Sequence, residues 1–123
     1  IGEFKNDFRH GKGTQTFTDE EIYIGKFKND LRHGQGTQTF KSGNTYTGGW
    51  KKDLRHGQGT YNFVDGVPYT GGFENDYYHG QGSMTLKDGA KYVGSYEKGN
   101  WMDGIIYDVN GDKLSVIDGE VKN

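Results

Sequence analysis

The sequence predicts an all-β protein: one elongated, twisted, single antiparallel sheet of stacked β-hairpins with a 23-residue period and a degenerate C-terminal capping unit. Three observations predict it. The histidines His10, His33, His56 and His79 stand at a constant step of 23, and Tyr23, Tyr46, Tyr69 and Tyr92 keep the same step. Within each step, ring-bearing residues alternate with polar ones, as in a strand with one apolar face. Finally, Gly numbers 22 against a single Pro, which opposes helices because each interior Gly costs a helix about 1 kcal/mol.

The elements follow from one unit, Tyr46–Pro68. Tyr46, Gly48 and Trp50 alternate with Thr47, Gly49 and Lys51 to give a first strand. The polar stretch Lys52–Gly57 is expected to turn the chain, and Gly59, Tyr61 and Phe63 then mark a second strand. "VDGV", like "KSGN" and "KDGA" in other units, carries the Ser/Asp-Gly pair favoured in two-residue hairpin turns. Glu20 replaces that Gly in the first unit, so a looser turn is expected there. The glycines share the face of the rings and leave room for a neighbouring unit's ring to lie over the backbone. The chain thus reads as one array over 1–123, with units 1–22, 23–45, 46–68, 69–91 and 92–114 and a capping tail 115–123.

Composition narrows the function classes. Hydrophobic residues make up only 30% and half of that share is aromatic, so the apolar mass lies in rings; disordered chains lack such residues. The net charge of −2 gives no field to gather nucleic acid. Residues 1–68 hold ten Lys/Arg against eight Asp/Glu, and 69–123 hold five against nine. The absence of Cys excludes disulfides and thiolate chemistry. No apolar run approaches the length of a transmembrane helix. The opening "IGEF" reads as the inside of a repeat, so the array is expected to be the C-terminal part of a longer chain, in a cytoplasmic setting.

The repeating form Y-x-G-x-[FW]-K-x-[DG]-x-R-H-G-x-G-T-x-x-F-x-[DS]-G, spelled out as YIGKFKNDLRHGQGT over Tyr23–Thr37, closely resembles the MORN (membrane occupation and recognition nexus) repeat. The resemblance covers nearly the whole chain. It implies a concave groove lined by the repeated aromatics, scaffolding roles, protein partners and, in some members, affinity for acidic phospholipid. The fifth unit departs from the pattern: it keeps Tyr92, Gly94 and Tyr96 but loses the Arg and His, and brings Trp101, Met102, Ile105 and Ile106. With Leu114, Val116, Ile117 and Val121 behind it, this unit is expected to cap the array.

Two surfaces are candidates for function. The aromatic row, Tyr23, Phe27, Tyr46, Trp50, Tyr61, Phe63, Tyr69 and Phe73, offers a groove to a protein partner or to another copy of the chain. Most of these rings are expected to pack on each other; Trp50 and Tyr61 stand out, because other units carry Phe4 or Phe27 and Gln15 or Gln38 there. The alternative is a basic stripe, Lys5, Arg9, Lys28, Arg32, Lys51 and Arg55, laid on an acidic membrane, where each cation is worth about 1 kcal/mol. Twist and interleaved aspartates favour a solvated, ion-paired face over lipid.

Catalysis, metal and nucleotide readings are set aside. Successive histidines two strands apart lie roughly 10 Å from one another, too far to share an ion. "GQGT" meets Thr39 where a phosphate-binding loop needs a third Gly, and no helix follows. Identical units present like groups in rows, whereas catalysis needs unlike groups at one point. No enzyme activity, cofactor or small-molecule substrate is expected.

Overall fold

The computed structural model describes residues 2–5, 8–17, 20–86 and 88–122, and within them the side chains from Arg9 onward. Twelve strands are described: β1 (Gly2–Lys5), β2 (Phe8–Thr16), β3 (Ile22–Lys28), β4 (Leu31–Thr39), β5 (Thr45–Lys51), β6 (Leu54–Asn62), β7 (Tyr69–Glu74), β8 (Tyr77–Thr85), β9 (Lys91–Glu97), β10 (Asn100–Tyr107), β11 (Lys113–Ile117) and β12 (Glu120–Lys122). They form a single antiparallel sheet in chain order. Short connections leave each strand no partner nearer than its chain neighbour, so the predicted meander is what forms.

The turns differ from the sequence reading. The chain reverses over two residues, Lys52 and Asp53, at φ 49° and 73°, and not over Lys52–Gly57. Asn29–Asp30, Asn75–Asp76, Lys98–Gly99 and Asp118–Gly119 repeat this left-handed pair, which matches the twist of a hairpin. Arg55, His56 and Gly57 therefore belong to β6. The Ser/Asp-Gly turns are longer than expected. Gly43 N–H bonds to Phe40 C=O at 2.9 Å and Phe40 N–H to Asn44 C=O at 2.9 Å, a three-residue loop whose last residue is left-handed. Glu20 adopts Gly43's conformation, φ 66°, and Phe17 N–H still reaches Glu21 C=O at 2.7 Å. Thr18 and Asp19, on which the expectation of a looser first turn also falls, lie outside the described residues; in the third unit Gly66 N lies 3.5 Å from Phe63 O.

Each first hairpin carries a register shift, between Gly25 and Phe27, Gly48 and Trp50, and Gly71 and Phe73. Bulges free a carbonyl and add twist. The tyrosine of the same unit takes up that carbonyl: Tyr23 Oη donates to Lys26 O at 2.8 Å, Tyr46 to Gly49 O at 2.8 Å and Tyr69 to Gly72 O at 3.0 Å. To reach it the ring lies flat over its own hairpin's glycines. A Cβ at Gly59 would stand 2.5 Å from Tyr46 Cε1. The glycines thus make room for their own unit's ring, not for a neighbour's.

Rings from successive units complete the core. Tyr23 meets Phe27 edge to face at 5.1 Å and Trp50 at 5.4 Å; Tyr46 meets Trp50 at 5.2 Å and Phe73 at 4.8 Å; Tyr69 meets Phe73 at 5.3 Å and Tyr96 at 5.2 Å. Each such pair adds about 1 kcal/mol beyond its buried area. The degenerate unit and the tail extend the sheet through β9–β12. Ile106 and Val116 are buried, whereas Leu114, Ile117 and Val121 remain exposed, and the last described strand, β12, is short and carries Glu120 and Lys122.

Candidate functional site

The repeated Asp and Arg are joined across units, 21 residues apart. Arg32 Nε donates to Asp53 Oδ1 at 2.7 Å, its Nη2 to Asp53 C=O at 3.0 Å, and its backbone N–H to Asp53 Oδ1 at 2.9 Å; Asp53 N–H returns a bond to Arg32 C=O at 2.9 Å. Arg9 grips Asp30 and Arg55 grips Asp76 through the same four bonds. Each guanidinium also lies over a ring of the next unit: Arg9 over Phe27 at 4.8 Å, Arg32 over Trp50 at 4.4 Å and Arg55 over Phe73 at 5.7 Å. The arginine side chains are 18–25% exposed. They fasten one hairpin tip to the preceding strand.

Carboxyl ionisation reflects this clasp. The side-chain hydrogen bond from Arg9, then its backbone N–H, holds Asp30 below the usual value. Burial pushes Asp53 up, but hydrogen bonds from Arg32 and the charges of Arg32 and Arg9 outweigh it and leave this carboxyl low as well.

The predicted basic stripe is divided. Phe27 pairs with Arg32 and Trp50 with Arg55, which puts both arginines on the ring face; the adjacent pairs Lys28–Leu31 and Lys51–Leu54 turn the lysines to the opposite face. Lys28 and Lys51 are exposed there, and the Lys5 side chain lies outside the described residues. Burial, then the charges of Lys28, Lys51 and Lys52, pushes His33 down. His33 Nδ1 accepts from Lys52 N–H at 3.4 Å, and His79 Nε2 lies 3.0 Å from Glu74 Oε2.

Of the eight predicted groove residues, Tyr23, Phe27, Tyr46, Trp50, Tyr69 and Phe73 are buried core. A partner laid on the array does not reach them without displacing the next unit's rings. Trp50, singled out for its size, is one of these, with Nε1 donating to Gly36 C=O at 3.2 Å. Tyr61 and Phe63 remain half-buried at the surface of the ring face. They meet at 5.0 Å, Tyr61 stacks on Phe40 at 5.6 Å, and Tyr78 lies beside them. Two clefts share Phe63. One of about 290 Å³ is lined by Arg55, Tyr61, Asp76 and Tyr78, and one of about 690 Å³ by Val64, Val67, Met84 and Leu86. Phe40, Tyr78 and Met84 were missed from sequence. Phe40 shares the 23-residue step of Phe17 and Phe63, and that step was the signal for it.

Hairpins locked edge to edge by a ring ladder and an Arg–Asp clasp define an open β-repeat array. The MORN repeat family model matches residues 1–21, 23–45, 46–67 and 69–91. The chain belongs to that family, whose repeats are in general non-catalytic interaction or membrane-binding modules. No curated protein matches the chain.

Proposed function

We propose that this chain is a cytoplasmic scaffold that binds a protein segment, or a second copy of itself, on the ring face at the joint between its third and fourth units. The observation that carries this reading is the half-buried cluster of Tyr61, Phe63 and Tyr78 around Arg55, with a cleft on either side of Phe63. Rigid rings with polar rims are common contact anchors. Replacing Phe63 with Ala is expected to abolish capture of the partner and replacing Tyr61 with Ala to weaken it, while the melting temperature changes little, and capture is expected to persist in high salt. Loss of capture on charge reversal of Lys28 and Lys51, with Y61A indifferent, counts against the ring face.

The lysine cluster supports a second reading, binding to acidic phospholipid. Burial, and then the charges of Lys28, Lys51 and Lys52 gathered near it, lowers the pKa of His33. If this face meets membrane, the chain floats with anionic but not neutral vesicles, and K28E/K51E stays in solution. The arginines take no part, because Asp30, Asp53 and Asp76 already hold them.

A further inference from the structure

The three clasping arginines differ in one bond. Nη1 of Arg9 donates to Gln15 Oε1, and Nη1 of Arg32 to Gln38 Oε1 at 3.0 Å. Gln38 is 1% exposed, so this acceptor is built into the core of its unit. In the third unit Tyr61 stands in its place, paired with Tyr46 across the strand as Gln38 is with Tyr23. The phenol ring turns to Phe40 and Phe63, 5.4 Å from the Arg55 guanidinium carbon. Nη1 of Arg55 therefore meets no acceptor oxygen among the described residues, although Nε and Nη2 remain held by Asp76. The cleft of about 290 Å³ opens beside this guanidinium.

We propose that the free Nη1 edge of Arg55 is a subsite for a neutral amide oxygen, supplied by an Asn or Gln side chain of the segment that lies on the ring face. The proposal rests on the protein-binding reading above and names the chemistry of its recognition. A donor beside rings calls for an oxygen that can lie flat against Tyr61 and Tyr78. The charge of Arg55 is already matched by Asp76, so a second anion would face the Asp76 carboxylate; a neutral oxygen would not. Both sister arginines hold an amide oxygen at this same edge. The cleft is too small for much beyond one side chain, which suits a residue-specific pocket within a longer contact.

The test uses the whole chain and random twelve-residue peptides displayed on phage, with the recovered peptides then synthesised. Peptides that need Phe63 for binding are expected to share an Asn or Gln, and replacing it with Ala is expected to weaken binding about tenfold, the worth of one hydrogen bond to a charged donor. Tyr61→Gln rebuilds the arrangement of the first two units, so it folds, and it should erase the preference for amide over Ala because the introduced side-chain amide takes Nη1 internally. Tyr61→Leu also loses the ring but leaves Nη1 open, and should keep the preference. An amide preference unchanged in Y61Q, or a preference for Asp or Glu, would overturn the subsite while the ring face stands. If no peptide depends on Phe63, the ring-face reading falls and the subsite with it.

Discussion

The joints between units are of two kinds. Between the first and second, second and third, and third and fourth units, an arginine holds the next hairpin tip through Asp30, Asp53 or Asp76. Between the fourth and fifth units Tyr78 replaces the arginine and Gly99 the aspartate, and only the backbone bond survives, Gly99 N–H to Tyr78 C=O at 2.9 Å. Rings take over there: Tyr78 lies 4.1 Å from Tyr69 and 5.7 Å from Tyr96. The tip residue is left-handed in both kinds, φ 73° at Asp53 and 87° at Gly99. Glycine adopts that conformation freely, and an aspartate does so at a cost of about 1 kcal/mol. The strained aspartate occurs where an arginine grips it, so the clasp is an addition to a joint that backbone and rings already define.

If ladder and clasp are independent, breaking the ladder should cost the same at both kinds of joint. A methyl at Gly36 or Gly82 would overlap the phenol of Tyr23 or Tyr69. Gly36→Ala and Gly82→Ala are each expected to destabilise the array by about 3 kcal/mol in urea titrations, because the ring cannot leave without abandoning its carbonyl. A loss confined to Gly36→Ala would show that the clasp, not the ladder, fixes the ring. Breaking the clasp should cost less. Arg32→Met keeps an apolar stem on Trp50 and is expected to cost about 2 kcal/mol. Adding Asp53→Gly should restore part of that loss, since the tip no longer needs a carboxylate and recovers glycine's freedom.

The two systems also fail at opposite ends of the pH scale. Asp30 and Asp53 ionise below their ordinary value of 3.8 in the fold. Their contribution is present above the unfolded value and is lost as pH falls through the folded one. Burial, opposed by the charges of Arg32 and Arg55 respectively, pushes the phenols of Tyr23 and Tyr46 up to about 12. Their contribution is complete below the ordinary value of 10 and is lost as pH rises towards 12. Melting temperature should therefore fall below pH 3.8 and again above pH 10. D30N/D53N should flatten only the acid limb; an unchanged acid limb would mean that the clasps contribute nothing.

The ladder was legible in the sequence and the clasp was not. Tyr23, Gly25 and Phe27 alternate as a one-faced strand must, and the 23-residue step fixes the order of the hairpins. Arg32-His33-Gly34 reads as a polar loop because a strand that buries an arginine stem among rings inverts the hydrophobic pattern. Asp30 stands two residues from Arg32 in the sequence yet bonds to Arg9, a partner that closeness in the sequence does not reveal. The correct spacing was visible only as a joint loss, Arg giving way to Tyr78 where Asp gives way to Gly99. Burial of six groove candidates was hidden for a related reason. Which ring covers which depends on the twist that the bulges introduce, and single residues do not reveal it.

The smallest expected effect is the sharpest test of the two kinds of joint. Gly99→Asp alone places an aspartate in a left-handed position with nothing to hold it, and should cost about 1 kcal/mol. Tyr78→Arg alone removes ring contacts with Tyr69 and Tyr96 and adds a cation without a carboxylate, so it too should destabilise. Together they rebuild the pair found at the other joints, at the same 21-residue separation and on the same backbone bond. The double mutant should therefore be more stable than the sum of the singles by about 1–2 kcal/mol, the coupling of a half-buried, charge-assisted pair. Hydrogen exchange at Gly99 and Asn100 should slow at the same time, because repeat arrays respond locally. Zero coupling would mean that the clasp depends on the ring over the guanidinium, which is Phe27, Trp50 or Phe73 at the other joints. The fifth unit has Tyr96 at that position, so the clasp would then require a ring without a hydroxyl as well as the pair.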